Sequence, residues 1–408
     1  MKERIQWADK ENKYYTITRG GISHSFKPHR LRQGDCGMKR LGSFLGRRGI
    51  FGLKILLKRM LRHFVPLALL TKSEKEINLE NENEFLEGIS ADSKGSCIRK
   101  NHICSEPEYD LQIVIPAFNA EKTIKRCINS ILEQASVFKV LMVVINDGST
   151  DLTGEILKDY SHSEKIKVIS QENRGFSGAR NRGLENINAR YVMFVDSDDF
   201  LMPNAVQSLM QGTENGKFDI IQGDYSVSEV NSVKTIHCES LYGFPWGKVY
   251  KSVLFEKLIF PEGYWFEDTV GILVLFSMAK NFKTVRNTVY SYTLNPLGIT
   301  KTSKGKPKII DSFYVTRALL EDRRVLGLSF DMEFCKAFLY QVVANFRRIK
   351  TLRNECVNKS VFCLSCELLE KYFPGSRFSF EKHSNYEFLY RSLSERKYTA
   401  YKLVCHIW

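Results

Sequence analysis

The chain has 408 residues, 43% of them hydrophobic and 26% charged, which is length for about two to three domains with full apolar cores. Its formal charge of +14 is uneven, since residues 1–70 hold 16 Lys and Arg against 4 Asp and Glu, a difference of 12. Basic charge alone invites nucleic acid, but the excess lies outside the α/β region read below and no nucleic-acid motif accompanies it, so that partner is not expected.

Residues 1–40 show no clear periodicity. Leu53, Leu56, Leu57, Met60, Leu61 and Phe64 then repeat at helical spacing, with Lys54, Lys58 and Arg62 on another face, until Pro66 breaks the pattern. Two readings stay open: a basic amphipathic helix lying on an anionic membrane surface, or a helix docked on its own protein with a solvated basic edge. Lys54, Lys58, Arg59 and Arg62 interrupt the stretch, so it falls short of the roughly 18 apolar residues of a spanning helix. A cleavable signal peptide fits poorly, because the apolar stretch starts about fifty residues in. Residues 71–108, with Glu74, Glu76, Glu80, Glu82, Glu84 and Glu87, read as a polar, poorly ordered linker.

From Leu111 the pattern changes. Leu111 to Pro116 reads as a buried strand, ended by the missing N–H of Pro116. Asn119 offers an N-cap to a helix burying Ile124, Cys127, Ile128, Ile131 and Leu132. A strand from Val140 to Ile145 runs into Asn146-Asp147-Gly148-Ser149-Thr150-Asp151. After a helix (Ile156, Leu157, Tyr160) and a strand (Ile166 to Ile169), the segment Asn173 to Gly183 leads through another helix into Tyr191-Val192-Met193-Phe194-Val195. Alternating strands and helices mean a parallel sheet with crossover helices. Pro116, Asp147, Asp196 and Asp198 then share one edge of it.

Asp196-Ser197-Asp198-Asp199 closes the last of these strands. Carboxylates this close repel one another unless a cation sits among them, and hard divalent ions take one or two carboxylates plus substrate phosphates. The plainer alternative is Asp198 or Asp199 capping a helix that starts near Pro203. Neither a Gly-x-Gly-x-x-Gly turn nor a Gly-x-x-x-x-Gly-Lys-Ser/Thr loop is present, which argues against dinucleotide and P-loop sites.

Ile113-Val114-Ile115-Pro116-Ala117-Phe118-Asn119-Ala120, Asn146 to Asp151, Asn173-x-Gly175-x-x-x-Ala179-Arg180-Asn181 and Asp196 to Asp199 resemble, in order and spacing, the motifs of family 2 glycosyltransferases, inverting enzymes of the GT-A fold. The resemblance runs from about residue 112 to 292. It implies a nucleotide-sugar donor, usually a UDP-sugar, and a Mn²⁺ or Mg²⁺ ion at its diphosphate. By that similarity Pro116, Phe118, Asp147, Asn173, Arg180, Asp196 and Asp198 contact the donor, with Asp196 and Asp198 as the DxD pair serving the metal. Asn146 stands where many relatives carry Asp, and so lacks that charge.

Glu267-Asp268 lies between the aromatic loop Tyr264-Trp265-Phe266 and an apolar helix from Val270 to Met278. Either Asp268 caps that helix or, as the resemblance implies, it is the base that deprotonates the acceptor hydroxyl, with Glu267 beside it. Trp246-x-Lys248-x-Tyr250 also resembles the family's segment before the base, which implies that Trp246 and Lys248 shape the acceptor side, while Trp265 either stacks on a sugar there or is core. The expected reaction is a single displacement transferring sugar to a glycan or lipid-linked acceptor in cell-surface polysaccharide synthesis. A donor-binding scaffold without catalysis is the alternative, separated by whether Asp198 and Asp268 face one pocket.

Ile309 to Leu326 and Asp331 to Arg353 have helical apolar spacing, and homo-oligomerisation through these C-terminal helices is one expectation. Ten scattered cysteines, with Cys363-x-x-Cys366 the one close pair, fit reduced thiols in the cytoplasm better than a disulfide framework or a zinc site. His237 is weighed as a metal ligand and reads better as structural. The expected organisation is a basic, partly disordered extension with its helix and acidic linker (1–108), a GT-A domain with a mixed, mostly parallel sheet flanked by helices (109–298), and a mainly helical region (299–408). The expected location is cytoplasmic, peripheral on the inner face of the cell membrane where the N-terminal helix binds lipid.

Overall fold

The computed structural model describes residues 47–408 apart from 75–77, 101–105, 230–231, 296–297 and 376–377, together with the backbone of three short strands before them. Those strands, β1 (Arg4–Ala8), β2 (Tyr14–Thr18) and β3 (Gly21–Ser23), pair antiparallel in a sheet of their own, where the sequence suggested no periodicity. Helices α1 (Arg47–Arg62), α2 (Val65–Leu69) and α3 (Leu79–Ile89) follow. By contacts the chain divides into two units, Met1–Ser23 with Asp92–Ser329, and His24–Ala91 with Phe330–Trp408.

The first unit is built on a nine-stranded mixed sheet. Its parallel half comprises β4 (Tyr109–Ala117), β5 (Val140–Asp147), β6 (Ile166–Gln171) and β7 (Ala189–Phe194), in the order β6-β5-β4-β7. The crossovers carry α4 (Ile124–Leu132), α5 (Thr153–Lys158) and α6 (Gly175–Leu184). Helix α4 buries Ile124, Cys127, Ile128 and Ile131 as its spacing predicts, while Leu132 faces outward. Helix α6 lies so close to β4 that a Cβ on Gly183 would stand 2.3 Å from the Val114 side chain. Glycine is required there by proximity.

Beyond β7 come β8 (Phe200–Leu201), α7 (Ala205–Gly212), β9 (Ile220–Glu229), β10 (Ser232–Ile236), β11 (Lys248–Lys251), a π-helical turn (Gly271–Leu275) running into α8 (Phe276–Met278), and β12 (Phe282–Thr293). Strand β11 pairs antiparallel with β7 and β9, and β9 runs parallel to β12. Helices α9 (Ile299–Thr302) and α10 (Asp311–Val325) complete this unit. The expected mixed sheet flanked by helices is thus present, with parallel pairing in its first half and, after β7, the antiparallel strands β11, β10 and β8 set among β9 and β12.

In the second unit, α11 (Met332–Ile349), α12 (Glu355–Tyr372), α13 (Asn385–Ser394) and α14 (Tyr398–Ile407) bury apolar faces that include Phe338, Val343, Leu364, Leu389 and Val404. Asp331 caps α11 by accepting from the Phe334 amide at 2.9 Å. The glutamate-rich stretch read as a linker contains α3, capped by Asn78, which accepts from the Glu80 amide at 3.0 Å. This helix packs on α12, with Glu82 accepting from the Ser360 hydroxyl, while Lys359 pairs with Glu74 at 2.8 Å. Helix formation there rests on a cap and packing partners distant in sequence, neither visible in local composition.

Helix α1 packs on α14, with Lys58 Nζ donating to the Trp408 carbonyl at 3.1 Å and Arg62 donating to the His383 carbonyl. Its apolar stripe is turned the other way: Leu56, Leu57, Met60 and Phe64, continued by Leu67 and Leu70, are between 53% and 81% exposed. The Leu53 and Lys54 side chains lie outside the described residues, as do Cys36 and Cys104. Among the described residues, no helix is long and apolar enough to cross a membrane.

Candidate active site

Because β4 to β7 are parallel, their C-terminal ends meet at one sheet edge, where open α/β sheets take ligands. Two loops are stitched together above β4 and β5. Asn119, in the left-handed region at φ +48°, donates its amide to Ser149 Oγ at 3.1 Å and accepts from the Thr150 amide at 2.9 Å. It therefore does not cap α4, whose N-cap residue is Thr123. Pro116 is half-buried here and the Phe118 ring is 50% exposed.

Asp147 is buried at the end of β5, and its Oδ1 accepts from Gln171 Nε2 at 2.6 Å and the Arg174 amide at 2.9 Å. Asn173 Nδ2 donates to the Asp147 carbonyl at 2.9 Å. A Cβ on Gly148, at φ +72°, would stand 2.8 Å from the Asn173 nitrogen, so a larger residue there would force these two loops apart. Among the described residues, both hydrogen bonds to the Asp147 carboxylate fall on Oδ1.

Arg180, buried on α6, joins two carboxylates from opposite parts of the site. Its Nη2 donates to Asp196 Oδ1 at 2.9 Å and its Nη1 donates to Glu267. The guanidinium also lies 5.3 Å from the centre of the Phe260 ring. Burial pulls the Arg180 pKa down, but the two carboxylates outweigh it and hold the cation. Burial raises the Glu267 pKa, and the Asp268 charge adds to that against the opposing pull of Arg180, leaving it at about 7.

The Asp196–Asp199 turn is fixed from β12. Asp199, fully buried, accepts from the Tyr290 hydroxyl at 2.8 Å and the Thr293 amide at 2.6 Å. It is no helix cap; Asn204 occupies that position for α7. Asp198 is half-buried, its Oδ2 accepting from Asn295 Nδ2 at 3.1 Å and its carbonyl from Arg126 Nη2 at 2.7 Å. Burial and then the Asp196 charge raise the Asp198 pKa, and burial and then the Asp198 and Asp196 charges push Asp199 well above the usual range. Among the described residues, no three His, Cys, Asp or Glu side chains are grouped to hold a metal ion. The Asp196–Asp198 pair still fits a hard divalent cation that takes its other ligands from a diphosphate, since a positive charge would relieve the repulsion that raises Asp198.

Phe266, at φ +67°, turns the chain into Glu267–Asp268, a left-handed conformation costing a bulky residue about 1–3 kcal/mol. Glu267 is buried and Asp268 half-buried. Among the described residues, no hydrogen bond reaches the Asp268 carboxylate. The helix that follows uses main-chain acceptors, Val270 donating to the Glu267 carbonyl and Gly271 to the Asp268 carbonyl, each at 3.0 Å. The cap reading of Asp268 is therefore not realised. Burial, and then the charges of Asp199, Asp196, Asp198 and Asp268, raise the pKa of the Tyr292 phenol.

Two of the three residues expected on the acceptor side lie beneath the site instead of lining it. Trp246 is buried in a stack, 4.5 Å from Tyr290 and 4.8 Å from Phe244 between ring centres. Lys248 is fully buried; its Nζ donates to the Phe244 carbonyl at 2.8 Å and sits 3.0 Å from the Tyr242 ring centre. Burial pushes its ammonium pKa well down. A lysine on a strand packed on both faces has no route to solvent, and its spacing from Trp246 carries no sign of that. Trp265 is half-buried. His237 Nδ1 lies 2.7 Å from the buried Asp224 carboxylate, a structural pairing. The eight cysteines among the described residues are free thiols.

Sequence reasoning did not find Arg126, Tyr290, Tyr292 and Asn295. The alternation of Tyr290 and Tyr292 puts both rings on one face of β12, but nothing local assigns that face to the Asp196 turn.

Residues 112–266 match the family model "Glycosyl transferase family 2". The chain is similar to glycosyltransferase GlyA of Streptococcus pneumoniae, 31% identical over 232 residues, covering 50% of this chain and 33% of that protein. It is also similar to the uncharacterized glycosyltransferase EpsJ of Bacillus subtilis, 32% identical over 217 residues, covering 47% of this chain and 63% of that one. It thus spans between a third and just under two thirds of the length of these relatives. Among solved structures, S. aureus TarS 1–349 in complex with UDP aligns over 72% of this chain and 90% of that one, with 17% identity and a TM-score of 0.49. With the four motifs in order on the sheet edge described above, residues 112–266 form a family 2 glycosyltransferase segment.

Proposed function

We propose that this protein is a metal-dependent inverting glycosyltransferase that moves a sugar from a nucleotide-diphosphate donor, a UDP-sugar, to a hydroxyl of a glycan or lipid-linked acceptor in cell-surface polysaccharide synthesis. The observation that carries the reading is Arg180 bridging Asp196 to Glu267, which brings the strand-end carboxylates and the Glu267–Asp268 pair to one place. In this reading Asp147 holds the base or ribose through Oδ2, Phe118 covers the nucleotide, and Asp196 and Asp198 hold Mn²⁺ or Mg²⁺ at the diphosphate. Such an ion would supply positive charge to the departing diphosphate. Asp268, whose carboxylate makes no hydrogen bond among the described residues, takes the proton of the acceptor hydroxyl as that oxygen attacks the anomeric carbon. No covalent sugar–enzyme bond forms, and the configuration inverts. Trp265 borders the acceptor.

Incubating the full chain with Mn²⁺ and a panel of nucleotide sugars and acceptors tests this reading. Transfer that Asp198→Ala abolishes while nucleotide still binds the wild type supports it. Nucleotide binding without transfer or donor hydrolysis by wild type supports a catalytically inactive donor-binding scaffold in a polysaccharide assembly complex.

The protein is further proposed to attach peripherally to an anionic membrane through the exposed Leu56, Leu57, Met60 and Phe64 stripe, flanked by exposed Arg59. Replacing Leu57, Met60 and Phe64 by Ser should release the full chain from vesicles containing anionic lipid. Sedimentation equal to wild type would clear this helix of the role.

A further inference from the structure

We propose that Asp92, which lies outside the matched segment, is a positioning residue that sets the Glu267–Asp268 pair by bracing the loop before it. This rests on the reading of Asp268 as the base. The segment Asp92–Gly95 runs directly against the loop Glu262–Trp265. Asp92 is mostly buried and accepts from the Tyr264 hydroxyl through Oδ1 at 2.6 Å, and from Arg317 Nη2 through Oδ2 at 2.6 Å. Its Oδ1 also accepts from the Lys94 amide at 3.0 Å, which fixes the turn that carries it.

The two backbones touch. Ser93 Oγ donates to the Gly263 carbonyl at 2.9 Å, and the Gly95 amide donates to the Tyr264 hydroxyl at 3.1 Å. A Cβ on Gly95 would stand 2.4 Å from the Glu262 carbonyl oxygen, and one on Gly263 would stand 2.6 Å from the Ser93 side chain. From α10, Asp311 accepts from the Trp265 amide at 2.8 Å, and Lys308 just before it donates to the Gly263 carbonyl at 2.6 Å. On the other flank Glu262 pairs with Arg174 at 2.8 Å and accepts from Asn181 Nδ2 at 3.0 Å.

These supports converge on the residues just ahead of the left-handed Phe266. A backbone in that conformation persists where its surroundings over-determine it. Removing the Asp92 carboxylate leaves Tyr264 and Arg317 without their shared acceptor and lets the chain before Phe266 relax. The Asp196 turn has supports of its own in the Tyr290 hydroxyl and the Thr293 amide, so its backbone keeps its protection although Arg180 links the Asp196 side chain to Glu267.

Amide hydrogen exchange of the full chain tests this directly. In Asp92→Ala, and in Tyr264→Phe, which deletes one hydroxyl, exchange across residues 262–268 should rise by about tenfold while residues 196–199 keep their protection. Turnover should fall by about 10- to 100-fold with nucleotide affinity unchanged, and Asp92→Glu should recover part of it. Unchanged exchange at 262–268 in both variants would overturn the proposal, as would loss of nucleotide affinity in step with turnover. Should the wild type transfer no sugar, the base assignment fails, and the exchange result still decides whether Asp92 braces the loop.

Discussion

The two units of this chain bury different things. In the α/β unit Asp147, Arg180, Asp199, Asp224, Lys248, Glu267, Asp311, Asp322 and Arg323 are all buried. In residues 330–408 the buried polar side chains are neutral, Gln341, Asn345, Asn358, Ser360, Ser365 and Ser392 among the described residues. Charges of the helical unit sit in pairs that reach solvent, some one helical turn apart, as Arg391 with Glu395, and some joining distant segments, as Lys402 with Glu355. Burying a charge costs several kcal/mol unless it is paired and hydrogen-bonded. A unit that bears this cost repeatedly, with Asp147, Arg180, Asp199 and Glu267 gathered at one sheet edge, is what the proposed function requires. The helical unit is built as a packed core.

The sharpest test of this contrast is Asp268→Asn, which should cut turnover by about 10²–10⁴ while leaving nucleotide affinity and melting temperature near wild type. Steady-state kinetics beside calorimetry would reveal it; a near wild-type rate would remove Asp268 from the mechanism. Arg180→Ala should lower stability by about 3–5 kcal/mol in urea unfolding, because it leaves Glu267 and Asp196 without their shared cation.

Glu267 offers a pH test. Its folded pKa of about 7 lies above the ordinary 4.5, so the fold favours its protonated form. That contribution to stability is complete below about pH 4.5 and is lost as pH rises through about 7. Glu267→Gln should therefore flatten the fall in melting temperature across that window. At the small end, Arg391→Ala in the helical unit should shift stability by less than about 1 kcal/mol. A loss as large as that of Arg180→Ala would erase the distinction between the units.

The parallel half of the sheet was legible because each element carries a local signal. Buried runs such as Leu111–Ile115 and Tyr191–Val195 mark strands, and Ile124, Cys127, Ile128 and Ile131 mark a helix face. The motif residues at the strand ends inherit their common edge from that topology. What stayed hidden depends on partners far along the chain. Tyr290 reaches Asp199 across 91 residues and Asp92 reaches Tyr264 across 172, and no spacing rule spans such intervals. The same holds for Lys248, where a residue type usual at surfaces is enclosed by Phe244 and Tyr242.

Arg180 gives its two anionic neighbours a common creditor. Whatever draws negative charge away from Asp196 leaves more of the guanidinium to Glu267, and protonating Glu267 returns it. Thermodynamic reciprocity makes the two effects equal in free energy. On the proposed function, cation and nucleotide occupancy at one end of the site and proton affinity at the other are then coupled, read in calorimetry as a proton release on nucleotide binding that is smaller in Glu267→Gln.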